Sequence, residues 1–137
     1  MIELFLPWPP SINNYYLRTK YGTALSKRGR LYRDDCAKDI LEQLGGGFNP
    51  INYTINLAVI LYPPDKRKRD LDNHLKALQD AMTHGKVYSD DSLIDQLSIY
   101  RGEVVKSSAP GSSGHCYVRL CSAAPILRNT RLHYDLI

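Results

Sequence analysis

The chain has 137 residues, enough for one domain and little more. With 43% apolar and 23% charged residues it has the composition of a globular fold rather than a disordered tract. Its 18 lysines and arginines against 14 acids leave a net charge of +4, and no apolar run approaches the roughly 20 residues needed to span a bilayer, which excludes a transmembrane helix.

In chain order, residues 2–6 (Ile-Glu-Leu-Phe-Leu) read as a first strand, stopped by Pro7-Trp8-Pro9-Pro10. The Tyr-rich, basic stretch from Ser11 to about Leu25 has no clear period and reads as a long loop, a kind of segment that tends to carry function. Ser26 can cap a helix reaching about Leu44, with Ala37, Ile40, Leu41 and Leu44 as its buried stripe and Gly45-Gly46-Gly47 as its stop. Residues 53–61 alternate, with Tyr53, Ile55, Leu57, Val59 and Leu61 on one face, and predict a second strand halted at Pro63-Pro64. A second helix is expected from Asp70 to His84, burying Leu71, Leu75, Leu78 and Met82. Residues 93–105 predict a third strand. The Ser/Gly/Pro-rich stretch 107–114 predicts a hairpin connection to a fourth at 115–121. The expected order is β-α-β-α-β-β in one domain over residues 1–121, followed by a tail at 122–137 without periodicity.

Cys36, Cys116 and Cys121 are odd in number and widely spaced, which fits neither a disulfide framework nor a zinc site. The N-terminus has no secretory signature, so a reducing cytoplasm is the expected compartment. Charge is unevenly distributed. Six basic residues (Arg18, Lys20, Lys27, Arg28, Arg30, Arg33) and no acid lie between Ser11 and Arg33, and Lys66-Arg67-Lys68-Arg69 stands directly before Asp70. Two basic segments with tyrosines between them point to a polyanion, nucleic acid above all, although basic loops can also be simply solvated.

Asp70-Leu71-Asp72-Asn73 opens the second helix, and Asp90-Asp91 follows it. Hard divalent cations take carboxylate oxygens and leave positions open for water and phosphate. On a wheel of about 100° per residue, Asp72 and Lys76 flank the buried face, so a carboxylate and an ammonium can meet the same phosphate. The same residues also admit an ordinary reading: Asp70 as N-cap, Asp72 and Lys76 as an i,i+4 pair, Asp90-Asp91 as a turn. Tyr15 and Tyr16 can stack on bases or pack in the core. Neither the four histidines nor any serine or cysteine arrangement has the spacing of a metal knuckle or a covalent nucleophile.

The motif Leu6-Pro7-Trp8-Pro9-Pro10-Ser11, then Asn13 and Tyr15-Tyr16, then Asp65 and the basic run into Asp70-Leu71-Asp72-Asn73, then Lys76 and Asp90-Asp91, resembles the RusA-type Holliday junction resolvases over about residues 3–121. The chain departs from the pattern in its insert at 107–114, its longer tail and its alternation of Lys with Arg in the basic run. The resemblance implies a dimeric α+β domain with a mixed, largely antiparallel sheet and two helices. It also implies an endodeoxyribonuclease that cuts four-way DNA junctions with Mg²⁺, or Mn²⁺ as a substitute. Asp70, Asp72 and Asp91 match the metal-binding aspartates and Lys76 the essential lysine, while Asp90 matches a neighbouring acid of less defined role. Together with the basic run, it makes Asn13, Tyr15, Lys66, Arg67, Lys68, Arg69 and Asn73 the expected DNA contacts. The contrasting expectation is a non-catalytic, structure-selective nucleic-acid-binding module in which the acids merely cap a helix.

Overall fold

A computed structural model describes residues 1–107 and 113–123. In chain order the elements are strand β1 (Ile2–Pro7), a one-turn helix α1 (Ile12–Tyr15), strands β2 (Tyr16–Thr19) and β3 (Gly22–Leu25), helix α2 (Lys27–Leu44), strand β4 (Ile55–Tyr62), helix α3 (Leu75–His84) and strands β5 (Ile94–Arg101) and β6 (His115–Ser122). Two 3₁₀ turns, Leu71–His74 and Asp91–Leu93, precede α3 and β5.

The main sheet has the order β1-β6-β4-β5. β1 with β6 and β6 with β4 are antiparallel, while β4 with β5 is parallel, so the sheet is mixed and mostly antiparallel as expected. A parallel pair cannot be joined by a tight turn, and the chain between β4 and β5 runs through α3. Period-two alternation in β4 buries Ile55, Leu57, Val59 and Leu61 on one face. Their cross-strand neighbours Cys116, Val118 and Leu120, and beyond them Leu4 and Leu6, complete that face. α2 contributes Tyr32, Cys36 and Ile40 to the same core, and α3 contributes Ala77, Leu78, Ala81 and Met82. The outer edge of β1 is blocked by Gln43 of α2, whose amide accepts from Phe5 N at 2.8 Å and donates to Phe5 O at 2.7 Å. An edge strand occupied in this way is a poor template for a foreign strand.

Several expectations need correction. Residues 11–25 are not a loop: they form α1 and a separate two-stranded ribbon, β2 with β3. The signal was weak because nearly every side chain in the ribbon is exposed, so no apolar alternation marks it. The expected hairpin of β5 with β6 is not formed, because β4 lies between the two strands; residues 108–112 of the expected connection lie outside the described residues. In α2 the buried stripe is Gly29, Tyr32, Cys36 and Ile40, whereas Leu41 is 58% exposed. Tyr53 lies outside β4 and is exposed. The expected second helix begins as a 3₁₀ turn, and β5 ends at Arg101 rather than near 105. The tail from 124 onward lies outside the described residues.

The start of α2 locks the ribbon to the body. Ser26 caps the helix by accepting from Gly29 N at 2.9 Å, and its hydroxyl donates toward Asn14 O at 2.6 Å. Ser26 N donates to Tyr15 O at 2.9 Å. Gly29 must be glycine: a Cβ there would lie 2.5 Å from the Tyr15 carbonyl oxygen and 3.1 Å from side-chain carbons of Leu25 and Tyr15. Gly29→Ala is expected to destabilise the fold by about 1–3 kcal/mol, the usual cost of overpacking, read as a lowered urea midpoint. An unchanged midpoint would show that the base of the ribbon yields.

Candidate active site

The loops after β1 and β4, the end of β5 and the first turn of α2 enclose an open cleft of about 1150 Å³. Four of its basic side chains are the run Lys66, Arg67, Lys68 and Arg69. Asn13, Asn73 and Asp70 line it as well. Sequence reasoning missed Arg101 and Trp8 as wall residues and left Arg28 as one charge among six. Arg28 lay in the acid-free segment, which was a usable signal. Arg101 carried none, because only the strand order brings the end of β5 to the loop after β4.

The four cations of the run are not equivalent. Arg69 is spent internally: its guanidinium pairs with Asp65 at 2.8 Å, lies 5.6 Å over the Trp8 ring, and the side chain is only 16% exposed. Arg101 donates to the Arg69 carbonyl oxygen at 2.8 Å, fixing the peptide that leads into Asp70. Arg67 donates its backbone N–H to Asp65 at 2.9 Å, which leaves its own side chain 84% exposed. Lys66 and Lys68 therefore present free charge, Arg67 is mostly exposed but pairs with Asp65 at 3.8 Å, and Arg69 shapes the loop. Arg69 and Arg67 hold the Asp65 carboxyl at about 2, below its ordinary range. A carboxylate with a depressed folded pKa stabilises above its unfolded value of about 3.9, and that contribution is lost as pH falls through the folded one. The melting-temperature difference between the protein and Asp65→Asn should therefore be full above about pH 4 and shrink toward about pH 2. A difference independent of pH would mean that Asp65 acts through shape alone.

His74 is buried against Trp8, with ring centroids 4.7 Å apart, and its Nδ1 lies 2.8 Å from Pro9 O. A carbonyl only accepts, so Nδ1 carries the proton. Burial, the largest cause, lowers the His74 pKa. The ring ties the Pro-rich loop after β1 to the turn that carries Asp72 and Asn73.

The acids divide by role. Asp70 precedes the 3₁₀ turn yet makes no side-chain capping bond. Among the described residues neither Asp70 nor Asp72 has an ion pair or side-chain hydrogen bond, so the capping explanation does not account for them. Asp90 does cap: it accepts from Ser92 N at 3.1 Å and from the Ser92 hydroxyl, shaping the turn that presents Asp91. Asp91 faces Lys76, with Oδ2 to Nζ at 3.9 Å. The ordinary i,i+4 pairing of Asp72 with Lys76 is not formed: the first turn is 3₁₀, and the partner of Lys76 is Asp91.

The expected convergence of Asp70, Asp72 and Asp91 is not assembled. Among the described residues no group of three or more His, Cys, Asp or Glu is close enough to hold a metal ion. The charge beside Asp91 is the Lys76 ammonium. The donors suit a hard divalent cation in kind, being carboxylate oxygens of which two sets are uncommitted.

Tyr15 needs correction as a DNA contact. It is fully buried and donates its hydroxyl to Asp80, which also lies 3.8 Å from Arg33. Burial followed by this hydrogen bond raises its pKa, and no ring face is left for a base.

A polar, cation-rimmed cleft with uncommitted carboxylates on one α+β layer defines a nuclease-type site. The family model described as "Endodeoxyribonuclease RusA" matches residues 7–113. The chain belongs to the RusA family of endodeoxyribonucleases. It is 34% identical over 107 residues to the crossover junction endodeoxyribonuclease RusA of Escherichia coli strain K12, covering 76% of this chain and 85% of the relative. The corresponding protein of Enterobacteria phage HK97 is 35% identical over 109 residues, covering 80% and 89%. That of Enterobacteria phage 82 is 35% identical over 106 residues, covering 76% and 85%.

Proposed function

We propose that this endodeoxyribonuclease resolves four-way DNA junctions by paired symmetric nicks in recombination and repair, with Mg²⁺ as its ion and Mn²⁺ as a substitute. The observation that carries this reading is Asp70: an unpaired, uncapped carboxylate inside a cleft whose other charges are mostly positive. A pure binder gains nothing from a free acid where phosphate is to bind.

Lys66, Arg67 and Lys68 would take the phosphodiester backbone, with Asn13 and Asn73 as neutral contacts on the cleft wall. Asp70, Asp72 and Asp91 would hold the cation, which when bound lowers the pKa of a water and polarises the scissile phosphate. Lys76 would stabilise negative charge gathering on the phosphate or the leaving oxygen. The Asp90 cap would hold Asp91 in place, and the Arg101 bond to the Arg69 carbonyl would do the same for Asp70. Two symmetric cuts need two sites, and one short chain carries one, so the working form is a homodimer whose two-fold axis matches the junction. All three thiols are free, in keeping with a reducing cytoplasm, and no described helix is long and apolar enough to cross a membrane.

The test is a nicking assay on a synthetic four-way junction beside linear duplex, with and without Mg²⁺. Mg²⁺-dependent nicks at symmetric positions on the junction alone are expected. Equal nicking of both substrates would make the protein a general metal nuclease, and binding without nicking would make it a recognition module.

A further inference from the structure

The β2–β3 ribbon contributes little to the core yet is built with care. Apart from Tyr16 and Leu25 at its root, every one of its strand residues is exposed. A two-stranded ribbon by itself is marginal in water, so its order must come from its ends. At the root, Ser26 binds the carbonyls of Asn14 and Tyr15 and ties the ribbon to the cap of α2. At the tip, Lys20 and Tyr21 form a two-residue turn between the paired Thr19 and Gly22. Gly22 has φ +117°, where a side chain is strained, and Thr19 Oγ1 both donates to Gly22 O at 2.6 Å and accepts from Tyr21 N at 3.3 Å. The turn is thus shaped by backbone and hydroxyl bonds, and it holds the Tyr21 ring 91% exposed.

Charge and position add a direction. Arg18 and Lys20 are the charged residues of the ribbon, and no acid lies between Ser11 and Arg33. Both roots of the ribbon, Asn14 before it and Arg28 after it, line the cleft that holds Asp70. A basic arm with an exposed aromatic tip, Lys20 Nζ lying 6.0 Å from the Tyr21 ring centroid, therefore stands beside the candidate site. In an intact duplex every internal base face is already stacked, so such a ring has nothing to meet. Where the arms of branched DNA diverge, terminal base-pair faces become available.

We propose that the β2–β3 ribbon is a branch-point probe, in which Tyr21 stacks on a base face exposed where the junction arms separate while Arg18 and Lys20 contact the flanking phosphates. The proposal rests on the reading of branched DNA as the substrate. It assigns to Tyr21 the preference for junction over duplex, and to the two cations an attraction that serves both.

The experiment measures binding without divalent cation, so that nothing is cut, to a four-way junction and to a linear duplex of the same sequence. The junction carries 2-aminopurine beside the branch point. Tyr21→Ala should weaken junction binding about ten-fold, the order of one base–aromatic stack, and leave duplex binding unchanged. It should also abolish the change in 2-aminopurine fluorescence on binding. Tyr21→Phe keeps the ring and should behave as the unmodified protein, and Arg18→Ala with Lys20→Ala should weaken both DNAs alike. The proposal is overturned if Tyr21→Ala binds the junction normally, loses both DNAs equally, or is matched in its loss by Tyr21→Phe. If the unmodified protein does not prefer the junction, the substrate reading itself fails. If that preference survives in Tyr21→Ala, only the probe fails.

Discussion

Asp70→Asn is expected to abolish junction cutting while junction binding stays close to that of the unmodified protein. The change is nearly isosteric and removes a charge that makes no ion pair or capping bond among the described residues, so the fold has little to lose. The peptide entering Asp70 remains held by Arg101, and the loop by the Asp65–Arg69 pair. An amide is a weaker ligand than a carboxylate for a hard cation, and even outer-shell partners of metal ligands cost about 10–100-fold when removed. The loss in cutting rate should therefore exceed about 100-fold. Removing an acid from a basic cleft leaves phosphate attraction intact or strengthens it. Asp72→Asn should follow the same pattern. A Mg²⁺-dependent rate equal to the parent's in either variant would remove that residue from the site.

Lys76→Ala carries the second large effect. Lys76 is not among the residues lining the cleft, and its partner is Asp91 at 3.9 Å. Its charge is thus placed beside Asp91 rather than in the phosphate-binding rim. A preorganised charge aimed at a developing oxyanion is worth about 10²–10³ in rate. Lys76→Ala should lower the cutting rate by that order and change junction affinity far less. Single-turnover cutting with saturating protein, beside a binding titration, separates the two quantities. Equal losses in both would make Lys76 a phosphate contact and nothing more.

Of the expected DNA contacts, Lys66, Arg67, Lys68, Arg69, Asn13 and Asn73 all line the cleft, Arg69 with its guanidinium paired to Asp65, while Tyr15 is buried. The sequence offered no way to make that division. Four consecutive cations look alike until it is known that Asp65, four residues before Arg69, and Trp8, sixty-one residues before it, both meet its guanidinium. Tyr15 and Tyr16 are adjacent aromatics in a segment without period, and only the packing of α1 against α2 and α3 decides which is buried. The 3₁₀ turn at Leu71–His74 likewise escaped the helical wheel, since its apolar positions suit either helix.

A mildly basic domain with its charge in two segments, the period-two strand at β4, the cap at Ser26 and the acidic set behind a basic run were all local patterns, and local patterns are legible because side-chain period and capping chemistry act over a few residues. The order β1-β6-β4-β5, the parallel pairing of β5, the bond from Arg101 to the residue before Asp70, and the meeting of Lys76 with Asp91 join residues from 15 to more than 100 positions apart. Such pairings depend on which apolar faces bury one another, and no window along the chain contains that information. The net charge of +4 was visible from the start. Only the tertiary structure separated it into free phosphate-binding cations, an internally neutralised arginine, an uncommitted acidic set and a basic ribbon standing beside the cleft.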